Sequence, residues 1–414
     1  MVSALNIGVY LFLFTSLYFE VFLLITYLEE RGRVNRKDAR PSSPASYPSV
    51  TIIVPCYNEE KTITQTIQSL IGLRYPREKL HIMVVDDGST DTTYEKALQF
   101  TKHGEVSVFT KQNGGKASAL NFGIMRADTE LIGGLDADSF VAPEALQELV
   151  RYFASPEVMA VTPAITVHEP RTLLQHMQQA EYHLSIFYRK MFCALDALFV
   201  TPGPFSIYRA EVFKKIGLFR DAHKTEDMEM ALRMQTHRMK IENTPAALVS
   251  TVVPATLPVL LRQRVRWVQG FLQNSIDYRA LFLKRAHGNL GFFVLPVAVI
   301  SIFGSIYFAF YILFNMVTYF LEKALQVQTV GLANTFSTAP QFDLFFLTAE
   351  SSTFLIVILL ALTVALLSIG KWMVNDALFS RGTLLYLFFY GFIAPLWLAK
   401  AVYNTAFSRQ SAWK

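Results

Sequence analysis

Apolar residues are distributed unevenly along this chain. Ile7 to Leu28 form one nearly unbroken apolar run of about 20 residues, long enough to cross a bilayer as a helix. Three more runs follow, near Gly291 to Phe320, Leu344 to Ile369 and Thr383 to Val402, with a break in the first of them allowed for at Pro296. Between residues 48 and 255 the pattern changes to short apolar stretches alternating with helical spacing. Ser49 to Pro55 reads as a β-branched strand, and Glu59 to Leu70 as a helix with Ile63, Ile67 and Leu70 on one stripe. The unit repeats as Leu80 to Val85 with a helix over Asp91 to Phe100, then Val106 to Thr110 with a helix over Lys116 to Met125. Leu131 to Leu135 is the fourth strand. Such alternation predicts an α/β domain, a mostly parallel sheet with helices on both faces, inserted between transmembrane helices.

Composition agrees with a membrane chain: 52% of the 414 residues are hydrophobic and 17% charged, more apolar than a soluble protein. The first run lacks a basic leader and a small-residue cleavage site, and it ends in Glu29-Glu30-Arg31-Gly32-Arg33 with Arg36, Lys37 and Arg40 following. It therefore reads as an anchor and not a cleaved signal. The basic cluster places the next domain on the cytoplasmic side, at the plasma (inner) membrane. The expected plan is an anchor over residues 1–30, a basic linker over 31–47, a catalytic domain over 48–255, amphipathic interfacial helices over 256–289, and about three transmembrane helices over 290–414. A net charge of +5 whose basic residues flank apolar runs gives no sign of a nucleic-acid partner. Two cysteines, Cys56 and Cys193, supply neither a disulfide framework nor a zinc spacing.

The chemistry lies in the loops at the strand ends, because ligands of open α/β sheets bind beyond the carboxyl ends of the strands. Leu131-Ile-Gly-Gly-Leu-Asp-Ala-Asp-Ser139 runs from a strand into two carboxylates, Asp136 and Asp138. They suit Mg²⁺ or Mn²⁺, which take one or two protein carboxylates and leave other positions to water and phosphate; a turn or helix cap is the plainer alternative. Tyr57 and Glu59, in Pro55-Cys-Tyr-Asn-Glu59, offer an aromatic face and polar groups to a flat heterocycle. Asp86 and Asp87 could accept hydrogen bonds from a base or ribose, or cap a helix. Asn113-Gly-Gly-Lys116 is a glycine turn with a lysine at a helix start, a setting that favours phosphate. Farther on, Thr225-Glu226-Asp227 opens a helical pattern over Met228 to Met239. Gln263-Arg-Val-Arg266-Trp267 sits within Leu257 to Leu272, an amphipathic basic stretch with the composition of an interfacial helix.

Asp86-Asp87-Gly, Asp136-Ala-Asp138, Thr225-Glu-Asp227 and Gln263-x-x-Arg266-Trp267, in that order between membrane segments, resemble the membrane-bound processive family 2 glycosyltransferases, which include cellulose, chitin, hyaluronan and poly-N-acetylglucosamine synthases. The resemblance covers about residues 48 to 275 and the membrane layout. It implies a GT-A type nucleotide-sugar domain in which Tyr57, Glu59, Asp86 and Asp87 hold the nucleotide with help from Lys116. Asp136 and Asp138 would serve the diphosphate and its Mg²⁺ or Mn²⁺. Asp227, beside Glu226, would be the base, with Gln263, Arg266 and Trp267 on the acceptor and pyrophosphate side. Thr201-Pro-Gly-Pro-Phe-Ser206 departs from the Cys-Gly pattern of cellulose synthases, which implies a different acceptor. The implied reaction is inverting, metal-dependent transfer of a sugar from a UDP-sugar, of UDP-N-acetylglucosamine type, to a growing β-linked polysaccharide, with export across the membrane and room for accessory export subunits. The alternatives are a single transfer to a lipid, as by ceramide glucosyltransferases, and a nucleotide-sugar-binding scaffold without turnover, against which the intact acids argue.

Overall fold

A computed structural model describes residues 4–34, 46–331, 351–378 and 380–407. The basic linker from Arg36 through Arg40, the start of the run at Leu344, and Arg409 and Lys414 lie outside the described residues.

Strand β1 (Val50–Cys56) is buried along its whole length and sits between β2 (Leu80–Asp86) and β4 (Leu131–Gly134), parallel to both, while β3 (Val106–Thr110) extends the sheet beyond β2. A fully buried parallel strand has no polar face, which is why these segments read as continuous apolar runs. Pro55 is tolerated in so central a strand because the β1–β4 ladder ends at Ile53↔Gly134 and the missing N–H falls on the side where pairing has stopped. The sheet continues through strands that the pattern does not single out: β5 (Ser139–Val141), β6 (Val158–Val167), β7 (Ile207–Arg209) and β8 (Lys240–Thr251). The spatial order is β3-β2-β1-β4-β7-β6-β8-β5. It is a mixed sheet, since β7 runs antiparallel to β4 and β6, and β5 antiparallel to β8.

Helices α2 (Ile63–Ile71), α3 (Thr93–Leu98), α4 (Lys116–Ile124) and α5 (Ala145–Val150) connect the first strands. On one face Ile52 and Val54 pack with Ile63, Ile67 and Leu70 of α2 and Leu146 and Leu149 of α5. On the other, Ile53, Met83 and Val85 pack with Leu120 and Ile124 of α4 and with residues of α7 (Ala210–Ile216) and α8 (Glu226–Thr236). The side-chain alternation of each strand thus feeds two cores.

Helix α6 (Leu173–Ala194) joins this domain to the membrane segments. Its start is fixed by a capping box in which Thr172 Oγ1 accepts from Gln175 N and the Gln175 side chain accepts from Thr172 N. Ala180, Leu184, Phe187 and Met191 pack with Leu23 and Tyr27 of α1 (Ala4–Val34) and with Leu366 and Leu367 of α11 (Ser351–Met373). Helix α9 (Leu257–Asp277) carries the Gln263 to Trp267 motif. It runs on past Leu272 and is followed by two short 3₁₀ turns, so the stretch after residue 256 is one long helix and not several. A π-helical turn, Leu290–Val294, leads straight into α10 (Leu295–Val330), so the segment is unbroken at Pro296. After α12 (Arg381–Leu385) a π-helical turn, Tyr386–Tyr390, leads into α13 (Gly391–Ala406).

Four helical segments, Asn6–Arg31, Leu290–Val330, Ser352–Met373 and Arg381–Ala406, are long and apolar enough to cross a membrane. Large side chains such as Leu11, Phe14, Phe310, Leu313 and Phe392 lie exposed on them. Surfaces of that kind belong in lipid, and the chain is a membrane protein. Glu20, inside the first segment, is buried and accepts a hydrogen bond from Thr363 Oγ1 of α11 at 2.8 Å.

Candidate active site

The parallel strands β1, β2 and β4 deliver their terminal loops to one edge of the sheet. Beyond β4, Asp136 and Asp138 enter a cavity of about 530 Å³ whose wall also carries Lys116, Glu226, Asp227, Gln263, Arg266 and Trp267. Eight of the residues singled out in the sequence therefore meet in one place, although they come from four different elements.

Lys116, the first residue of α4, is the electrostatic hub. Its ammonium lies 2.5 Å from Asp136 Oδ1 and 3.1 Å from Glu226 Oε1. Burial opposes its charge, but Asp136, Glu226 and Asp227 together hold it above the ordinary lysine value. A side chain at Gly203, in the Thr201–Ser206 loop, would run into the Lys116 ammonium and the Asp136 carboxylate. Glycine at that position is what lets the loop close over the pair.

Asp138 has less compensation. Ser139 Oγ donates to its Oδ1 at 3.2 Å and Thr251 Oγ1 at 3.4 Å, yet burial, then the charges of Asp136 and Glu59, push its carboxyl up to about 7. Two facing carboxylates with one lysine between them and Glu226 leave negative charge that a divalent cation would neutralise. No group of three or more His, Cys, Asp or Glu able to hold a metal occurs among the described residues. Two oxygen donors with the remaining positions left to phosphate fit Mg²⁺ or Mn²⁺, not zinc.

Asp227 lines the same cavity from the first turn of α8. Thr201 Oγ1 donates to its backbone carbonyl at 2.9 Å, and its own Oδ1 accepts from Met228 N at 2.8 Å. Burial, then the neighbouring Glu226 carboxylate, raises it to about 6. Glu226 itself, although buried, is held below the usual carboxylate range by Lys116, with Arg266 adding to the effect. Of two adjacent acids, one is fixed as an anion and the other poised near neutrality, the division of labour expected of a salt-bridge partner and a base.

Tyr57, Glu59, Asp86 and Asp87 are not on the cavity wall. They stand beside it at the ends of β1 and β2. Asp86 and Asp87 are buried and turned onto their own loops. Asp86 accepts from Ser89 N and Thr110 Oγ1. Asp87 pairs with Lys111 at 2.6 Å and accepts from Gly114 N and from Gly115 N at 2.7 Å. Asp87 thereby shapes the glycine turn that presents Lys116. Tyr57 and Glu59 are half-buried, and Glu59 Oε2 accepts from Thr62 Oγ1.

Several residues of the site escape a reading by motif. Asn58 has a φ of 54° and bridges the first two loops, its N–H donating to Ser89 Oγ and its Oδ1 accepting from Thr90 N. Helix α6 contributes Glu181, Tyr182, Tyr188 and Arg189, and α13 contributes Trp397. Arg189 Nη1 and Gln263 Oε1 are buried on the wall with no hydrogen-bond partner among the described residues. Arg264, between Gln263 and Arg266 of the α9 motif, is buried with its guanidinium 4.3 Å over the Trp267 ring. The i, i+3 spacing of Arg264 and Trp267 was the available signal.

A mixed sheet with carboxylates past its fourth strand, facing a buried acid at a helix start, defines a GT-A nucleotide-sugar fold. Residues 51–217 match the family described as glycosyl transferase family 2. It is 30% identical over 261 residues to the poly-β-1,6-N-acetyl-D-glucosamine synthase of Staphylococcus epidermidis and 29% over 260 residues to that of Staphylococcus aureus. Each alignment takes in 62% of this chain and spans 63% of the relative's length. A mannosyltransferase of Pyrobaculum calidifontis, solved with GDP-mannose and Mn²⁺, shares the fold over 99% of this chain and all of its own, with a TM-score of 0.63 and 19% identity.

Proposed function

We propose that the chain is an inverting glycosyltransferase that moves N-acetylglucosamine from UDP-N-acetylglucosamine to a growing β-linked polysaccharide. The observation that carries this reading is that Asp227 lines the same cavity as Asp136 and Asp138. A donor whose diphosphate lies over the two aspartates presents its anomeric carbon toward Asp227. The Asp227 carboxylate takes the proton of an acceptor hydroxyl as that oxygen attacks, and attack from the face opposite the nucleotide inverts the configuration. Mg²⁺ or Mn²⁺ held by Asp136 and Asp138 would neutralise the departing UDP, a role supported by the poorly compensated Asp138 carboxylate beside Asp136 and by the Mn²⁺ of the mannosyltransferase.

On the acceptor side the half-buried Trp267 ring supplies a flat face for a pyranose, with Gln263 and Arg266 beside it. The unpartnered Gln263 Oε1 and Arg189 Nη1 match a ligand rich in hydroxyls. Tyr57, Glu59, Asp86 and Asp87 form the nucleotide end, with Asp87 acting through the glycine turn. The polysaccharide reading rests on the staphylococcal relatives. In this reading the catalytic domain, residues 48–255, faces the cytoplasm and the membrane helices carry the product outward, with or without an accessory export subunit.

The test is to incubate the purified full-length protein in lipid with radiolabelled UDP-N-acetylglucosamine and Mg²⁺ or Mn²⁺ and to size the products. A ladder or high polymer is expected. A single lipid-soluble product would replace the polymerase by a one-step lipid glycosyltransferase, and no product from any UDP-sugar would leave a binding scaffold.

A further inference from the structure

Trp267 is half-buried at the cavity wall. What lies against it is Arg264, whose guanidinium sits 4.3 Å above the ring centroid, one turn earlier on the same helix. Arg264 is 4% exposed and donates through Nη2 to Glu181 Oε2 of α6 at 2.6 Å. Burial opposes its charge, but Glu181 holds the guanidinium above its ordinary value. The same Glu181 oxygen accepts from the Tyr390 hydroxyl at 2.5 Å. Tyr390 ends the π-helical turn of the last membrane segment and packs edge-on against Trp397, 5.3 Å between ring centroids and 66° between planes. Trp397 reaches the same cavity. One carboxylate therefore ties three helices together at the point that sets Trp267. A charged hydrogen bond between a planar fork and a carboxylate is directional, and a stacked arginine transmits that direction to the ring below it.

We propose that Glu181 and Tyr390 are positioning residues for acceptor transfer: they hold Arg264, and through it the plane of Trp267, so that the last membrane segment sets the acceptor platform. This rests on the reading of Trp267 as that platform. A merely structural joint between helices would affect folding and every activity alike. A positioning joint affects only the step that uses the ring, because displacing an attacking hydroxyl by about 1 Å costs about a hundredfold in rate while leaving donor binding alone.

The experiment uses the full-length protein in lipid and four variants beside the wild type: Glu181→Gln, Tyr390→Phe, Trp267→Leu and the double variant Glu181→Gln with Trp267→Leu. UDP affinity and transfer from UDP-N-acetylglucosamine are measured on each. Glu181→Gln is expected to lower transfer by roughly 10- to 100-fold with UDP affinity unchanged, and Tyr390→Phe by a smaller factor in the same direction. In the Trp267→Leu background Glu181→Gln should add no further loss, since it acts through a ring that is already gone. Full additivity there, or wild-type transfer by both single variants, overturns the coupling while leaving the platform standing. Wild-type transfer by Trp267→Leu removes the platform and the inference with it. If Glu181→Gln leaves Arg264 uncompensated and fails to fold, Tyr390→Phe, which deletes a single hydroxyl, decides the question.

Discussion

Asp227 and Asp138 are both raised carboxylates, and their positions assign them different consequences. With Asp227 at about 6, its basic form predominates at pH 7.5 and is a minority at pH 5. The rate of acceptor transfer should therefore fall as pH drops through about 6. Asp227→Asn should lose that limb together with 10²- to 10⁴-fold of rate, roughly the range for removing a general base. The stability effect has the opposite sign. A carboxyl raised from 3.8 to about 6 costs nothing below the lower value, costs progressively more between the two, and carries the full cost at neutrality, on the order of 3 kcal/mol. Asp227→Asn should accordingly melt higher than wild type at pH 7.5 and lose that advantage near pH 4. A variant that melts lower at neutrality would identify Asp227 as a structural cap. For Asp138, at about 7 without a cation, binding of Mn²⁺ with UDP near pH 6.5 should expel a proton. Calorimetry in buffers of different ionisation enthalpy reads this directly, and Asp138→Asn should show neither the proton nor detectable transfer.

At the scale of elements, the site depends on how closely α8 and α9 approach. Thr225, just before α8, is buried, and Asn274 of α9 donates to its hydroxyl at 2.9 Å. A side chain at Gly270 would strike Thr225. Gly270→Val should push the start of α8 outward, carrying Glu226 and Asp227 with it, and lower transfer by at least tenfold while UDP binding changes little. Equal loss of both would show that the two helices also shape the nucleotide end. The central strands and α2 were legible because continuous apolar runs and one clean stripe have a single physical reading. Strand β7, three residues long, carries too little pattern to register. Helix α6 blurs its own periodicity by packing against the sheet domain and the membrane segments together, although Thr172 and Gln175 spell its start. The turn before α8 was illegible for another reason: His223 and Lys224 both adopt positive φ, at 52° and 60°, where glycine would have announced a bend. A bond from His223 to Asp277, 2.8 Å long, lies between that turn and the end of α9. Asp136 and Asp138 were readable because strand ends face a crevice. Glu181 and Arg189 were not, since nothing local to α6 says what will stand opposite.

For the whole molecule, the joint between domain and membrane is a packed core and not a tether. Phe187 of α6 is fully buried with Leu23, Leu366 and Leu367. Phe187→Ala should cost about 3–5 kcal/mol, which is expected to appear as faster loss of transfer on warming. Unchanged heat resistance would mean that the domain does not lean on this core. Helix α6 thus has one flank in the catalytic cavity and the other locked to α1 and α11. A catalytic head on a flexible stalk would recoil each time its product lengthened, and the new chain end would wander relative to the bilayer. Here the cavity and the membrane helices share one frame. Under the proposed polymerising reaction, each added sugar would therefore be converted into displacement along a fixed axis, without being absorbed by slack between them.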